Sequence, residues 1–316
     1  MSTLLLVLLL SSGVFVAARG NDDASVRELN KRRNLLSGRY VTVTIGSQIC
    51  DVRKYGAVGD GKTDDTAAIQ KAIDDCAQNG GGEVLLSFAD SNSDDDEKNR
   101  FFIESGIHIS GSGISFKIQK HVTLVASDDI SKWPQNEAII TVSKVSNIAL
   151  IGDGTVDGQG EKWWRAMEQK GQKDMFRPRT VDAEDVQDLL IQELTFINGP
   201  NHILELYADN TELDSITVLN PPSPQSHNTD AVDVHGTPFY IHDVYFDTGD
   251  DNIAGHANHT LVENSVFGAG HGASIGSLCN DWLTNITFRN ISFNGTTAGA
   301  RIKSHPGCSG KVWNVT

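Results

Sequence analysis

The chain has 316 residues, 39% of them hydrophobic and 21% charged, a composition that supports a sizeable core and excludes wholesale disorder. Acids number 41 and bases 26, a net charge of −15, which argues against a nucleic-acid partner because such a partner needs net basic surface. Glycines number 30 and prolines 8, which points to many turns and so to many short strands.

The N-terminus opens with an apolar stretch, Leu4 to Leu10, that runs into small residues ending Val16-Ala17-Ala18. It is too short to span a bilayer and ends in a cleavage pattern, so residues 1–18 read as a secretory signal, with no membrane partner after its removal. Residues 19–47 are polar, carry Lys31-Arg32-Arg33, and read as a propeptide or flexible arm. The secretory reading agrees with an even number of cysteines, Cys50, Cys76, Cys279 and Cys308. It also agrees with Asn-x-Ser/Thr sequons at Asn258, Asn285, Asn290, Asn294 and Asn314, all candidate glycosylation sites.

A helix is expected after Thr63-Asp64-Asp65-Thr66, whose oxygens can cap it. Ala68, Ile69, Ala72, Ile73 and Cys76 fall on one face, and Gly80-Gly81-Gly82 stops it. The acidic run from Asp90 to Arg100 has no apolar content and reads as a solvated loop rather than a metal site.

Short alternating segments then recur, ending at Phe196, Val218, Phe246, Phe267 and Phe293, at intervals of 21 to 28 residues. A second set lies between them: 231–234, 252–254, 273–276 and 300–304. This period, without a leucine–asparagine ladder or helical periodicity, describes stacked coils. The expected fold is all-β: a right-handed single-stranded parallel β-helix over residues 48–316, with the early helix as an N-terminal cap. A sandwich or barrel is the alternative.

Four motifs sit at the coil spacing: Asn228-Thr229-Asp230, Gly249-Asp250-Asp251-Asn252, Gly270-His271-Gly272 and Arg301-Ile302-Lys303. Residues one coil apart stack at about 4.8 Å, the strand spacing. Asp230, Asp250, Asp251, His271, Arg301 and Lys303 are therefore expected in one line on one face. Carboxylates so crowded repel, and at least one should resist ionisation. A protonated carboxyl beside ionised ones suits hydrolysis of a glycosidic bond.

These motifs resemble those of glycoside hydrolase family 28, the pectin-degrading polygalacturonases. The segment from Asp51 to Gly61 is similar to the entry of many pectin-lyase-like β-helices, and supports fold more than function. The resemblance implies that Asp250 protonates the leaving oxygen while Asp230 and Asp251 activate water on the opposite face, giving inversion. His271 would orient the acid or sustain its protonation. Arg301 and Lys303 would hold the substrate carboxylate, and Asn228 would position the neighbouring chain or the substrate. The implied partner is pectin or polygalacturonate. Neither a metal nor an organic cofactor is implied, and a secreted monomer acting at the cell wall is expected.

The chain departs from the family pattern at Asn252, where many relatives have cysteine. It departs again at Cys279 and Cys308, which flank strands of neighbouring coils. A Cys279–Cys308 bridge is expected, with Cys50–Cys76 as the other, although three pairings are open. The final segment, Lys311 to Thr316, falls inside a coil where relatives continue. The chain is thus expected to be a truncated form, poorly stable or weakly active alone. A lyase, a related pectin hydrolase or a non-catalytic carbohydrate-binding β-helix are the competing functions.

Overall fold

The computed structural model describes residues 41–89, 99–170 and 175–316. The signal, most of the arm and nearly all of the acidic run lie outside the described residues.

The body from Val41 to Thr316 is a stack of coils whose strands all pair in parallel. The first of three ladders runs from Ile107–Ile109 through the opening halves of Ile140–Ile151, Val181–Gln192 and Leu204–Asp214. It continues through Val232–Gly236, Ile253–Ala257 and Ala273–Leu278 to Ala300–Ser304. The second uses the closing halves of those long strands, then Phe239–His242, Thr260–Phe267 and Trp282–Phe293. The third links Thr155–Asp157, Thr195–Ile197, Thr217–Leu219 and Tyr245–Asp247 to the end of Thr260–Phe267. This is the expected parallel β-helix, and the alternating patterns arise because inward residues of successive coils stack.

The core is continuous along the axis. Leu150, Ile191, Leu213, Ile241 and Val262 form one fully buried file. Phe196, Val218, Phe246 and Phe267 form another, with the last two rings stacked at 5.7 Å. Each such side chain removed from water contributes about 1.5–3 kcal/mol.

Corners recur in register because left-handed residues recur in register. One column is Asn147, Asp188, Asn210, His259, Asn285 and Asn314, with φ between 53° and 60°. Another is Glu193, Ser215, Asp243, Asn264 and Asn290, with φ between 51° and 62°. Asparagine and aspartate tolerate this region better than other L-residues. Three of the five sequon asparagines therefore sit at corners, where Asn290 donates to Asn264 Oδ1 at 2.8 Å and Asn314 donates to Asn285. Asn258 accepts from Thr284 N at 2.7 Å, and Asn294 is exposed beyond its strand.

The early helix spans Thr66–Gln78 and buries Ile69, Ala72, Ile73 and Cys76. Its expected capping is only partly realised. Asp64 Oδ1 accepts from Thr66 N, whereas Asp65 turns its carboxylate back to the Val58 and Gly59 amides. Cys50 is bonded to Cys76 and Cys279 to Cys308. Residues 41–46 lie against the coils, with Val41 N donating to Glu212 Oε2 at 2.7 Å, Thr44 N to Asn147 Oδ1 at 2.8 Å and Gly46 N to Gly113 O at 3.0 Å.

Candidate active site

The first ladder and the turns leading into it carry the ionisable groups. Asp233 pairs with Ala254, Ala254 with Ser274, and Ser274 with Arg301. Counting back along each strand puts Asp230, Asp251 and His271 in one column, one per coil. The Ala231 amide donates to Asp251 O at 2.9 Å.

The expectation of a single line is corrected for Arg301 and Lys303. They stand three and five residues further along their strand than the residue facing His271, because Ala273 pairs with Ala300. The coil from Ala273 to Ala300 takes 27 residues where the one before it, Ile253 to Ala273, takes 20, and a spacing of 30 residues is therefore more than one coil of register. Both cations reach back along the face. Arg301 Nη2 lies 2.5 Å from Asp251 Oδ1, Lys303 Nζ lies 2.5 Å from Asp251 Oδ2, and Arg301 Nε donates to Ser274 Oγ at 2.7 Å. Asp251 is fully buried and has a cation on each oxygen. Charge-assisted pairs of this kind offset the loss of hydration at a buried carboxylate.

The turns holding these groups are built from the rest of each motif. Thr229 Oγ1 donates to Ser226 O at 2.8 Å and accepts from Gly249 N at 3.0 Å, tying one motif to the next. A side chain at Gly249 would meet Ser226 O at 2.0 Å, so only glycine allows that approach. Gly272 has φ +87° and also lacks room for a Cβ, with Ala298 O at 2.2 Å. Asn252 replaces the frequent cysteine with hydrogen bonds. Its Nδ2 donates to Phe246 O and Ala269 O, and its Oδ1 accepts from Gly272 N. His271 is thereby set with Nδ1 at 3.0 Å from Asp250 Oδ1, which also accepts from Asp251 N at 2.9 Å. Asp250 and His271 are partly exposed, in contrast to Asp251.

Burial raises the Asp230 carboxyl well above its ordinary range, and the charges of Asp233, Asp250 and Asp251 add to that, against the pull of His202. The resistance to ionisation expected from crowding therefore falls on Asp230.

Sequence reasoning missed Arg177 and His202. Arg177 is buried; it donates to Pro200 O, His227 O and Asn228 Oδ1 at 2.7–2.9 Å. Asn228, at φ 56°, thus anchors to this arginine and holds the turn before Asp230. His202 occupies the column position one coil before Asp230, its Nδ1 at 2.7 Å from Glu205 Oε2 and 3.3 Å from Asp233 Oδ2, its Nε2 at 3.7 Å from Asp230 Oδ1. Its signal was present: position 202 precedes 230 by 28 residues, within the repeat period. A cavity of about 580 Å³ lies on this side, lined by Phe176, Arg177, Arg179, Asn201, His202 and Asn228 among others. None of the three aspartates lines it. Beside them the rings of Tyr207, His235 and His256 stack outward at 4.1 and 5.0 Å.

Among the described residues, three groups bring three ligand atoms within 4.8 Å: His202, Glu205 and Asp233; Asp214, His242 and Asp243; and Asp250, Asp251 and His271. In the third, Asp251 already carries two cations.

The profile of glycosyl hydrolases family 28 matches residues 98–316. The chain belongs to that family. It is 31% identical over 287 residues to a probable polygalacturonase of Arabidopsis thaliana, covering 88% of this chain and 59% of the relative. It is 27% identical over 308 residues to a polygalacturonase of Chamaecyparis obtusa, covering 92% of this chain and 56% of the relative. The solved polygalacturonase of Erwinia carotovora superposes with a TM-score of 0.70 at 26% identity, covering 88% of this chain and 77% of that one. The chain spans little more than half the length of the plant relatives it matches.

Proposed function

We propose that the chain hydrolyses α-1,4-galacturonosyl linkages of polygalacturonate, the reaction of a polygalacturonase, with inversion at the anomeric carbon. The observation that carries this is the juxtaposition of Asp250, Asp251 and His271 with Arg301 and Lys303, beside Asp230 on the preceding coil. Family membership and similarity to enzymes named polygalacturonase support it.

In this mechanism Asp250 is the general acid. It is the least buried of the three carboxyls and reaches the glycosidic oxygen, while His271 on its Oδ1 orients it and holds the proton nearby. Asp230 and Asp251 draw the proton from water on the opposite face. Arg301 and Lys303 each pair with one oxygen of Asp251. Arg301 uses two of a guanidinium's five N–H groups on Ser274 and Asp251, and Lys303 one of an ammonium's three on Asp251. Each keeps donors for the carboxylate of a galacturonosyl unit, which reconciles their engagement with Asp251 and a role in substrate binding. Asn228 acts through Arg177 to hold the turn. The enzyme is proposed to act outside the cell as a monomer. No helix among the described residues is long and apolar enough to cross a membrane.

The test is reducing-end release from polygalacturonate. Asp250→Asn and Asp251→Asn are each expected to reduce kcat at least about 100-fold, the scale of acid–base catalysis, with the fold retained. Products that are unsaturated and absorb in the ultraviolet would instead indicate β-elimination. Equal binding and no turnover by wild type and both variants would indicate a carbohydrate-binding module.

A further inference from the structure

We infer that His202 is a positioning residue for the hydrolysis proposed above, an imidazolium fixed one coil before Asp230 that weakens the hold of Asp230 on a proton and so favours its proton-accepting form. The inference rests on that functional reading but on different atoms.

The geometry carries it. Neutral imidazole has one N–H and one lone pair. Here both nitrogens face carboxylate oxygens: Nδ1 faces Glu205 and Asp233, and Nε2 faces Asp230. A neutral ring would direct a lone pair at a carboxylate on one side, whichever tautomer formed. The cation donates to Glu205 at 2.7 Å and faces Asp230, at 3.7 Å, as a charge rather than through a hydrogen bond. The surroundings are closed enough for this to count. Glu205, Asp230 and Asp233 are all buried, and one Asp233 oxygen has no hydrogen bond, so the ring's charge is the nearest compensation for Asp233.

The other charged groups facing this cluster leave His202 in the decisive place. On the preceding coil, Arg179 is spent on Asp182 and Glu205, at 2.9 and 3.4 Å. On the following coils, His235 faces Glu205 at 3.3 Å, and Asp251 has its own two cations. Arg177 offsets Asp230 and Asp250 from a distance while its donors go to two carbonyls and Asn228. Among the described residues, His202 is therefore the ion-pair partner that Asp230 has within 4 Å. Burial would lower the imidazole, but the Glu205 hydrogen bond and the charges of Asp230, Asp233 and Glu205 overcome it and raise it to about 9. Across the acidic and neutral range it thus stays cationic and opposes the upward push on Asp230.

The sign of the consequence is definite. Without the cation Asp230 takes its proton at higher pH, so a base needed for water activation is lost earlier as pH falls. In the intact chain carrying His202→Gln, the acidic limb of kcat/KM on polygalacturonate is expected to move up by about one pH unit, a roughly tenfold loss at pH values below the limb, with the plateau above it kept. His202→Lys restores a cation and should return the limb towards wild type. The Asp230 carboxyl, followed by carbon NMR, should shift with the limb. A folded His202→Gln protein with limb and Asp230 titration unmoved overturns the inference. Should that variant fail to fold, the wild-type imidazole decides: nitrogen NMR must find His202 protonated beyond pH 8, and loss of its proton below pH 6.5 overturns it. If wild type releases no reducing ends, the galacturonan reading fails, while the two NMR titrations still test the coupling.

Discussion

His242 repeats the chemistry of His202 on the second ladder, away from the groove. Its Nδ1 lies 2.8 Å from Asp243 Oδ2 and its Nε2 3.0 Å from Glu212 Oε1, with Asp214 at 3.5 Å. Burial would lower the ring, but hydrogen bonds to Asp243 and Glu212 and the charges of Asp214 and Glu212 raise it to about 9. A histidine raised in the folded state contributes stability that is complete below the unfolded value of about 6.5 and is lost as pH rises through the folded one. The stability difference between wild type and His242→Gln should therefore be largest at pH 6 and shrink by pH 9.5, measured by denaturant unfolding at both. A difference constant over that range would show that the ring is neutral in the fold. Asp51 to Gly61 and the four later motifs were legible in the sequence because residue type marks them. Arg177, His202 and His242 carried no local motif, because a lone histidine or arginine takes its meaning from groups on other coils; for His202 the coil spacing to Asp230 was the one signal.

At the scale of the element, the turns between strands decide where the carboxyls point. Gly270 and Gly272 bracket His271 at φ +134° and +87°, and a Cβ on Gly272 would collide with two carbonyl oxygens of the next coil. Gly272→Ala is expected to destabilise the fold by more than about 1 kcal/mol, through backbone conformation and the clash. It should also lower kcat more than it raises KM, since it displaces His271 from Asp250. Retained stability and unchanged kcat, from thermal unfolding and initial rates, would contradict that account of the turn. Part of the strand set was readable from alternation, chiefly the short strands of the third ladder and those of the first from Val232 on, whereas Trp282–Phe293 was read only at its closing end. The corner asparagines explain why sequons cluster in the last third. A coil corner wants asparagine at positive φ, and the strand that follows wants β-branched or hydroxyl residues, so the two needs together write Asn-x-Ser/Thr. Asn258 and Asn294 differ from the corner sequons in standing outside both columns.

Across the whole molecule, stability is distributed along a stack in which each coil rests on its neighbours. Two disulfides tie the stack near its ends, Cys50–Cys76 beneath the early helix and Cys279–Cys308 between late coils, separated by 26 and 29 residues. Closing a loop of that length in the unfolded chain is worth about 3.5 kcal/mol in the chain-entropy account. The final coils carry little buried surface of their own, with Ile302, Trp313 and Val315 substantially exposed. Replacing Cys279 and Cys308 together by serine is expected to loosen this end first. Hydrogen exchange should rise in 273–315 before it rises in 140–220, and equal protection in both regions would assign the end's order to packing instead.

Residue order along the chain settled the coil period, the inward and outward alternation and the identity of the acidic motifs. These depend on local propensity and on spacing within one turn. Which groups meet was settled only by folding. Loop lengths differ from coil to coil, and register counts hydrogen-bonded strand residues rather than positions in the chain. That is why Arg301 and Lys303 reach Asp251 from offset columns, and why His202, separated from Asp230 by a whole coil, stands beside it.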